Sequence, residues 1–238
     1  MQSSNNKIYS GSEELLLADQ YLPNYSAHIV EKFSHYGGAG ADILDFGAGV
    51  GTLAVLWEKL HGVKPECVEI DPRLRDFIQQ RHFLCYEHID HISKKFDVIY
   101  SSNVLEHIND DLGMLKVISQ KLSPQGVLLL YVPAFQILYS NFDKQVGHYR
   151  RYEKSELINK LKRANFSTEH IEYADSIGFI AWLFFKYVNN GRSSENSNHA
   201  AKMKFYDRYL FPISRLLDSF GLKRILGKNI LVVARKIS

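Results

Sequence analysis

The chain has 238 residues, 45% of them hydrophobic and 23% charged, enough for one α/β domain with a sizeable core and some embellishment. That composition excludes disordered, collagen-like and disulfide-scaffold proteins. Lys and Arg total 29 against 26 Asp and Glu, a formal charge of +3, so no global field points to nucleic acid or an acidic membrane and any basic site must be local. Met1 to Lys7 is polar, and no stretch reaches the roughly 18 apolar residues of a membrane span. Cys67 and Cys85 sit in apolar runs and read as reduced, buried thiols of a cytoplasmic protein.

In chain order, Tyr9, Tyr21 and Tyr25 with Leu22, Ala27, Ile29, Val30 and Phe33 predict a helical segment within residues 1–40. From Ala41 onward short apolar runs alternate with helical patterns, the mark of βαβ units around a mostly parallel sheet. Ile43–Phe46 is a first strand, and Leu53, Leu56, Trp57 and Leu60 mark the helix after it. Strands follow at about Glu66–Ile70, Phe83–Tyr86, Asp97–Ser101 and Val127–Val132, then at His170–Ala174 and Ile230–Ala234. Asn109 is expected to cap a helix that Ser123–Gly126 ends, and Leu157, Ile158, Leu161 and Ala164 mark another. The polar stretch GRSSENSNH, Gly191 to His199, reads as a surface loop.

ILDFGAGVG, Ile43 to Gly51, sets three glycines at alternate positions between a strand and a helix, where backbone must approach a ligand closely. The G-x-G-x-G spacing with Thr52 at the sixth position departs from the dinucleotide fingerprint. Asp45 on the strand end suits a ligand carrying an ammonium group rather than a pyrophosphate. Asp71, closing the strand CVEID, can accept hydrogen bonds from ribose hydroxyls, with Glu69 on the same face ranked second.

These residues resemble the class I S-adenosylmethionine-dependent methyltransferases: ILDFGAGVG is similar to their first motif, VEIDP to the acidic end of their second strand, and FDVIYSSNVLEHI to their fourth strand and turn. The resemblance implies a Rossmann-like seven-stranded mixed sheet with helices on both faces, its last strand antiparallel. It also implies that S-adenosylmethionine is held by Asp45, Gly47, Ala48 and Gly49 at its methionine part and by Asp71 at its ribose. Glu87 and His88 would border the adenine, Ser101 to Val104, with Ser102 and Asn103, would form the floor, and His107 would lie near cofactor or acceptor. YEHID departs from the family pattern around Glu87.

On the acceptor side, GHYRRY, Gly147 to Tyr152, combines a base, two cations and two phenols. His148 is the candidate general base, and Arg150 and Arg151 could grip an anionic group on the acceptor. Ser101–Asn103 and Pro133–Ala134 lack the carboxylates of metal-assisted O-methyltransferases, so no catalytic metal is expected. The motifs of DNA-directed methyltransferases are missing as well. HYRRYEKSEL with NFSTEHIEYADSIGFIAWL resembles a bacterial methyltransferase subgroup linked with cell-surface glycan or lipid-linked saccharide assembly.

The expected organisation is an N-terminal segment, 1–40, closing over a cofactor-binding core of 41–175 plus 229–238, with an active-site loop at 133–153 and an apolar cap at 176–228. Ile177 to Phe185 holds nine consecutive apolar or Gly residues; a second amphipathic stretch, Lys202–Leu222, carries Pro212 as a kink. The pair either packs as a lid or meets a membrane surface at 176–222 on the inner, cytoplasmic face. The leading expectation is metal-independent O-methylation of a small molecule or saccharide, lipid-linked in the second case. Alternatives are a non-catalytic nucleoside-binding module and a nicotinamide-dependent oxidoreductase.

Overall fold

The short apolar runs form strands because helices cover both of their faces, a setting that favours uninterrupted Val, Ile and Leu. A computed structural model describes residues 12–38, 40–188 and 199–237; Tyr9 and nearly all of the GRSSENSNH stretch lie outside them. The strands are β1 (Ile43–Phe46), β2 (Glu66–Val68), β3 (Cys85–Tyr86), β4 (Phe96–Ser102), β5 (Leu122–Pro133), β6 (Phe166–Ala174) and β7 (Asn229–Lys236), in the order β3-β2-β1-β4-β5-β7-β6. The first five are parallel, and β7 runs antiparallel to both β5 and β6. This is the mixed seven-stranded, Rossmann-like sheet expected.

Alternation along each strand divides the core into two layers. One layer joins Leu44, Phe46, Ile99, Leu128, Leu130 and Val132 to α5 (Asp111–Lys121) and α7 (Lys154–Arg163). The other joins Ile43, Val98, Tyr100, Leu129 and Tyr131 to α2 (Pro23–Ser34) and to Trp57 of α3 (Thr52–His61). Trp57 stacks on Tyr100 at 5.0 Å between centroids. Chain order reverses between β1 and β4, and the crevice outside the carboxyl ends of such a pair is where ligands bind in open α/β sheets.

Several boundaries differ from the sequence reading. β2 ends at Val68, short of Ile70, and β3 covers only Cys85–Tyr86. The cap of α5 is Asp110, whose carboxylate accepts from Gly113 N at 2.8 Å, and not Asn109. β5 begins at Leu122 and β6 at Phe166, both earlier than their apolar centres suggest, because neighbouring strands extend the ladders with polar residues such as Ser167 and Thr168. Pro212 sits at the start of α10 (Phe211–Ser219), after a π-helical turn at Tyr206–Leu210 that follows α9 (His199–Phe205); a proline is tolerated in a first helical turn.

α8 (Ser176–Val188) and α10 pack together, and two buried aspartates fasten the pair to the core. Asp175 accepts from Gly178 N at 2.9 Å and from Ser214 Oγ at 3.0 Å. Asp207 accepts from the backbone N–H groups of Asn24 and Tyr25 at 3.0 and 2.9 Å. No helix among the described residues is long and apolar enough to cross a membrane.

Candidate active site

After β1 the chain turns through Gly47, Gly49 and Gly51, all at positive φ (+78°, +57° and +82°), a region that costs an L side chain. A Cβ on Gly47 would lie 2.3 Å from Cγ2 of Val104, so the turn and the segment after β4 meet at van der Waals contact. Gly47→Ala is therefore expected to cost about 1–3 kcal/mol of stability from strain and clash. Thermal unfolding checks this; an unchanged melting curve would mean that Val104 gives way freely.

Gly47 and Ala48 donate their N–H groups to Val68 O at 2.9 and 3.0 Å, closing the turn onto β2. Gly49 N donates to Glu69 Oε2 at 2.8 Å, and Glu69 Oε1 accepts from Asp71 N at 2.9 Å. Glu69 is 7% exposed, and burial raises its pKa against the pull of these two N–H donors. Asp71 is used differently: Oδ1 accepts from Arg73 N at 2.9 Å, capping α4 (Pro72–Gln80), while Oδ2 meets Arg73 Nη2 at 3.1 Å. Both acids thus stand at the carboxyl end of β2 with donors on their oxygens. The helix start draws Asp71 into capping, whereas Glu69 lies against the glycine turn.

Asp45 is buried, and its Oδ2 has no hydrogen-bond partner. Burial pushes its carboxyl up to about 8, with the Tyr100 hydroxyl opposing the rise. Glu87 and His88 are half exposed beyond β3 and lie 3.7 Å from one another, with Arg75 4.0 Å from Glu87. On the other side of β1, Ser101 Oγ donates to Phe46 O at 2.8 Å. Ser102 accepts from Asn103 Nδ2 at 3.2 Å, and Asn103 takes a left-handed φ of +54° with its N–H on Tyr131 O. Leu15 of α1 (Ser12–Tyr21) reaches the glycine turn, 3.3 Å from where a Gly49 Cβ would stand. Asp19 of the same helix pairs with Arg81 at 2.8 Å.

The GHYRRY loop folds back on the residues after β4: Tyr149 N donates to Glu106 O at 2.9 Å. His148 Nδ1 lies 2.8 Å from Asp143 Oδ1, its Nε2 is 3.8 Å from Glu106 Oε1, and its ring meets His107 edge-on at 4.5 Å. Glu106 is fully buried, and both of its carboxylate oxygens lack hydrogen-bond partners. Burial pushes Glu106 up to about 7, against the attraction of His148. Burial also lowers His107 to about 4. Burial alone would raise Asp143, yet His148 and Arg151 hold it below the usual carboxylate range.

Both arginines meet carboxylates of the fold. Arg151 is 3% exposed, pairs with Asp143 through Nε and Nη2 at 3.0 and 2.9 Å, and lies over the Trp182 ring. Arg150 reaches Asp111 at 2.7 Å and donates to Asn109 O at 2.9 Å. Each cation thus pairs with a carboxylate, the buried Arg151 with Asp143 and the half-buried Arg150 with Asp111, and both pairs brace the loop. Glu106 and Asp143 were not singled out in the sequence. Glu106 was visible only as the neighbour of His107 in LEHI, and Asp143 as an acid five positions before His148.

The donors around the glycine turn suit S-adenosylmethionine: an orphaned acid at Asp45 for its ammonium, glycines whose backbone a ligand can approach, and two acids, Glu69 and Asp71, at the end of β2 for a diol. A family model described as a methyltransferase domain matches residues 18–171, more than half of the chain. No curated protein matches it. The fold is shared with a methyltransferase from Archaeoglobus fulgidus described as SAM-dependent (TM-score 0.63, 16% identity, 93% of this chain and 98% of that one). It is shared too with phosphoethanolamine N-methyltransferase 2 of Haemonchus contortus, solved with S-adenosyl-L-methionine (TM-score 0.57, 17% identity, 89% of this chain and 52% of that one). The oxidoreductase reading falls with the family match, and this chain belongs to the methyltransferase domain family.

Proposed function

We propose that this methyltransferase methylates a hydroxyl oxygen of a small molecule or saccharide. The observation that carries the reading is the Asp143–His148 pair, a histidine with one ring nitrogen tethered at 2.8 Å and the other turned to the segment after β4. Amines attack as free bases, but a hydroxyl must shed its proton during attack, and a polar cluster beside the acceptor serves that step. Bound S-adenosylmethionine supplies a methyl group on a sulfonium whose C–S bonding pair stays on sulfur as the C–O bond forms. Asp45, Gly47 to Gly49 and Glu69 would hold it, and Ser101 to Val104 would lie beneath the reacting centre.

Labelled methyl transfer into defined saccharides and cell extracts, with the product linkage read by mass spectrometry and NMR, tests this reading. A methyl ether is expected, and His148→Ala should cut turnover on the order of 10²–10⁴-fold while leaving cofactor affinity in place. Labelled products that are all methylamines or carbon-methylated would overturn it.

A lipid-linked saccharide is the acceptor favoured by the outer surface. Ile180, Phe184, Tyr187 and Val188 form an exposed stripe on α8, and Phe205, Tyr209, Ile213, Leu216 and Phe220 recur at helical spacing as exposed apolar residues from α9 to the end of α10. Lys202, Lys204 and Arg208 are exposed beside that second stripe, and Asp207, the one acid between residues 199 and 217, is buried. Aromatics flanked by cations suit an anionic bilayer surface. The chain is expected to co-sediment with phosphatidylglycerol vesicles at low salt, and Phe184→Asp with Phe220→Asp should release it. Failure of the wild type to sediment would remove the membrane reading and leave the hydroxyl reading standing.

A further inference from the structure

Glu106, His107 and His148 present one ligand atom each, a carboxylate oxygen and two imidazole nitrogens, all within 4.8 Å of one another. Three separate observations mark the spot as built for a ligand. Glu106 is fully buried with neither oxygen hydrogen-bonded, an arrangement that costs several kcal/mol in a folded interior unless something compensates it. His148 is already oriented: Asp143 takes its Nδ1 at 2.8 Å, leaving Nε2 on the Glu106 side. Asp143 is in turn fixed by Arg151 at 2.9 Å and by Ser140 N and Oγ at 2.8 and 3.0 Å. A carboxylate behind a histidine whose other nitrogen faces a second carboxylate is the outer-shell pattern of metal-ligating imidazoles.

We propose that Glu106, His107 and His148 hold a divalent transition-metal ion of the zinc class. Two imidazoles and one carboxylate are a donor set that such ions accept while keeping further positions open, whereas Mg²⁺ and Ca²⁺ favour oxygen donors. Borderline nitrogen and oxygen ligands and a site too buried for a full hydration shell both favour the softer ion. The inference rests on the hydroxyl acceptor of the proposed function and specifies what activates it. An acceptor oxygen taking an open position would have its pKa lowered by the ion, its proton passing to solvent, and His148 would serve as a ligand rather than as the base itself. The link to the cofactor turn is short along the chain, because Val104, which touches Gly47, stands two residues before Glu106. The expectation of no catalytic metal looked for carboxylates directly after the fourth and fifth strands; this set joins the turn after β4 to a loop some forty residues later.

Isothermal titration of the chelator-stripped full chain with Zn²⁺, and the visible absorption of its Co²⁺ form, test the proposal without reference to turnover. One ion per chain is expected, with ligand-field bands from Co²⁺ that His148→Ala abolishes. Glu106→Gln and His107→Ala should each weaken Zn²⁺ binding at least tenfold, and Asp143→Asn, which leaves all three ligands in place, by about 10–100-fold. The near-isosteric Glu106→Gln, with far-ultraviolet circular dichroism unchanged, guards against a folding artefact. No stoichiometric binding by the wild type, or Zn²⁺ affinity unchanged in Glu106→Gln and His148→Ala alike, overturns the proposal. Methyl ether formation by a chain that binds no ion would sink the metal alone; an ion bound at these residues in a chain that methylates only nitrogen would sink the hydroxyl reading alone.

Discussion

Asp143→Ala is expected to destabilise the protein by about 3–5 kcal/mol, the usual cost of removing one partner of a buried ion pair. Arg151 would remain 3% exposed with its counter-charge gone, and Ser140, His148 and the α6 (Asn141–Gln145) turn would lose the carboxylate that joins them. For a chain of this size each kcal/mol moves the melting temperature by roughly 2–4 °C, so a fall on the order of 10 °C should be seen by calorimetry. Replacing both charges, Asp143→Leu with Arg151→Met, should recover much of that loss, because the cost lies in the unpaired cation more than in the missing attraction. A shift of only 1 or 2 °C for Asp143→Ala would show that water reaches Arg151 and that the loop is not braced as described.

The second large effect separates two acids that sit two residues apart. Glu69→Gln should weaken S-adenosylmethionine binding by about 10–100-fold, the equivalent of the 1.5–3 kcal/mol carried by hydrogen bonds to a charged group. Asp71→Asn should change affinity by only a few-fold and appear mainly as a loss of about 1 kcal/mol or less in stability, since Asn also caps helices well. The difference follows from geometry: Glu69 is fixed by Gly49 N and Asp71 N beside the glycine turn, while Asp71 is engaged with Arg73. Titration calorimetry of both variants decides the matter. Equal affinities for wild type and Glu69→Gln, or a larger loss for Asp71→Asn, would assign the ribose to Asp71.

Periodicity alone placed the sheet well, because buried parallel strands read as short apolar runs and their helices as 3.6-residue repeats. It failed where polar residues extend a strand, as at Ser167 and Thr168 of β6, since only the neighbouring β7 supplies the hydrogen bonds that make them extended. In VEIDP, alternation put Glu69 and Asp71 on one face and ranked Asp71 first; the cap that Asp71 makes on α4 became visible only in the fold. In GHYRRY the residue types suggested an exposed grip, yet Asp111 and Asp143, supplied from elsewhere in the fold, each pair with one arginine, and Arg151 is turned inward.

What the linear order determined is the class of chemistry: a glycine turn after an apolar strand, acids at the ends of the first two strands, and hence a site for a sulfonium nucleoside. Those signals are local, carried by backbone conformations that neighbouring residues impose on one another. The grouping of Glu106, His107 and His148, the burial of Arg151 and the exposed stripes on α8 and α10 were decided only by the tertiary fold. Each depends on segments far apart in the chain, and burial is a property of the partners a residue meets rather than of its own side chain.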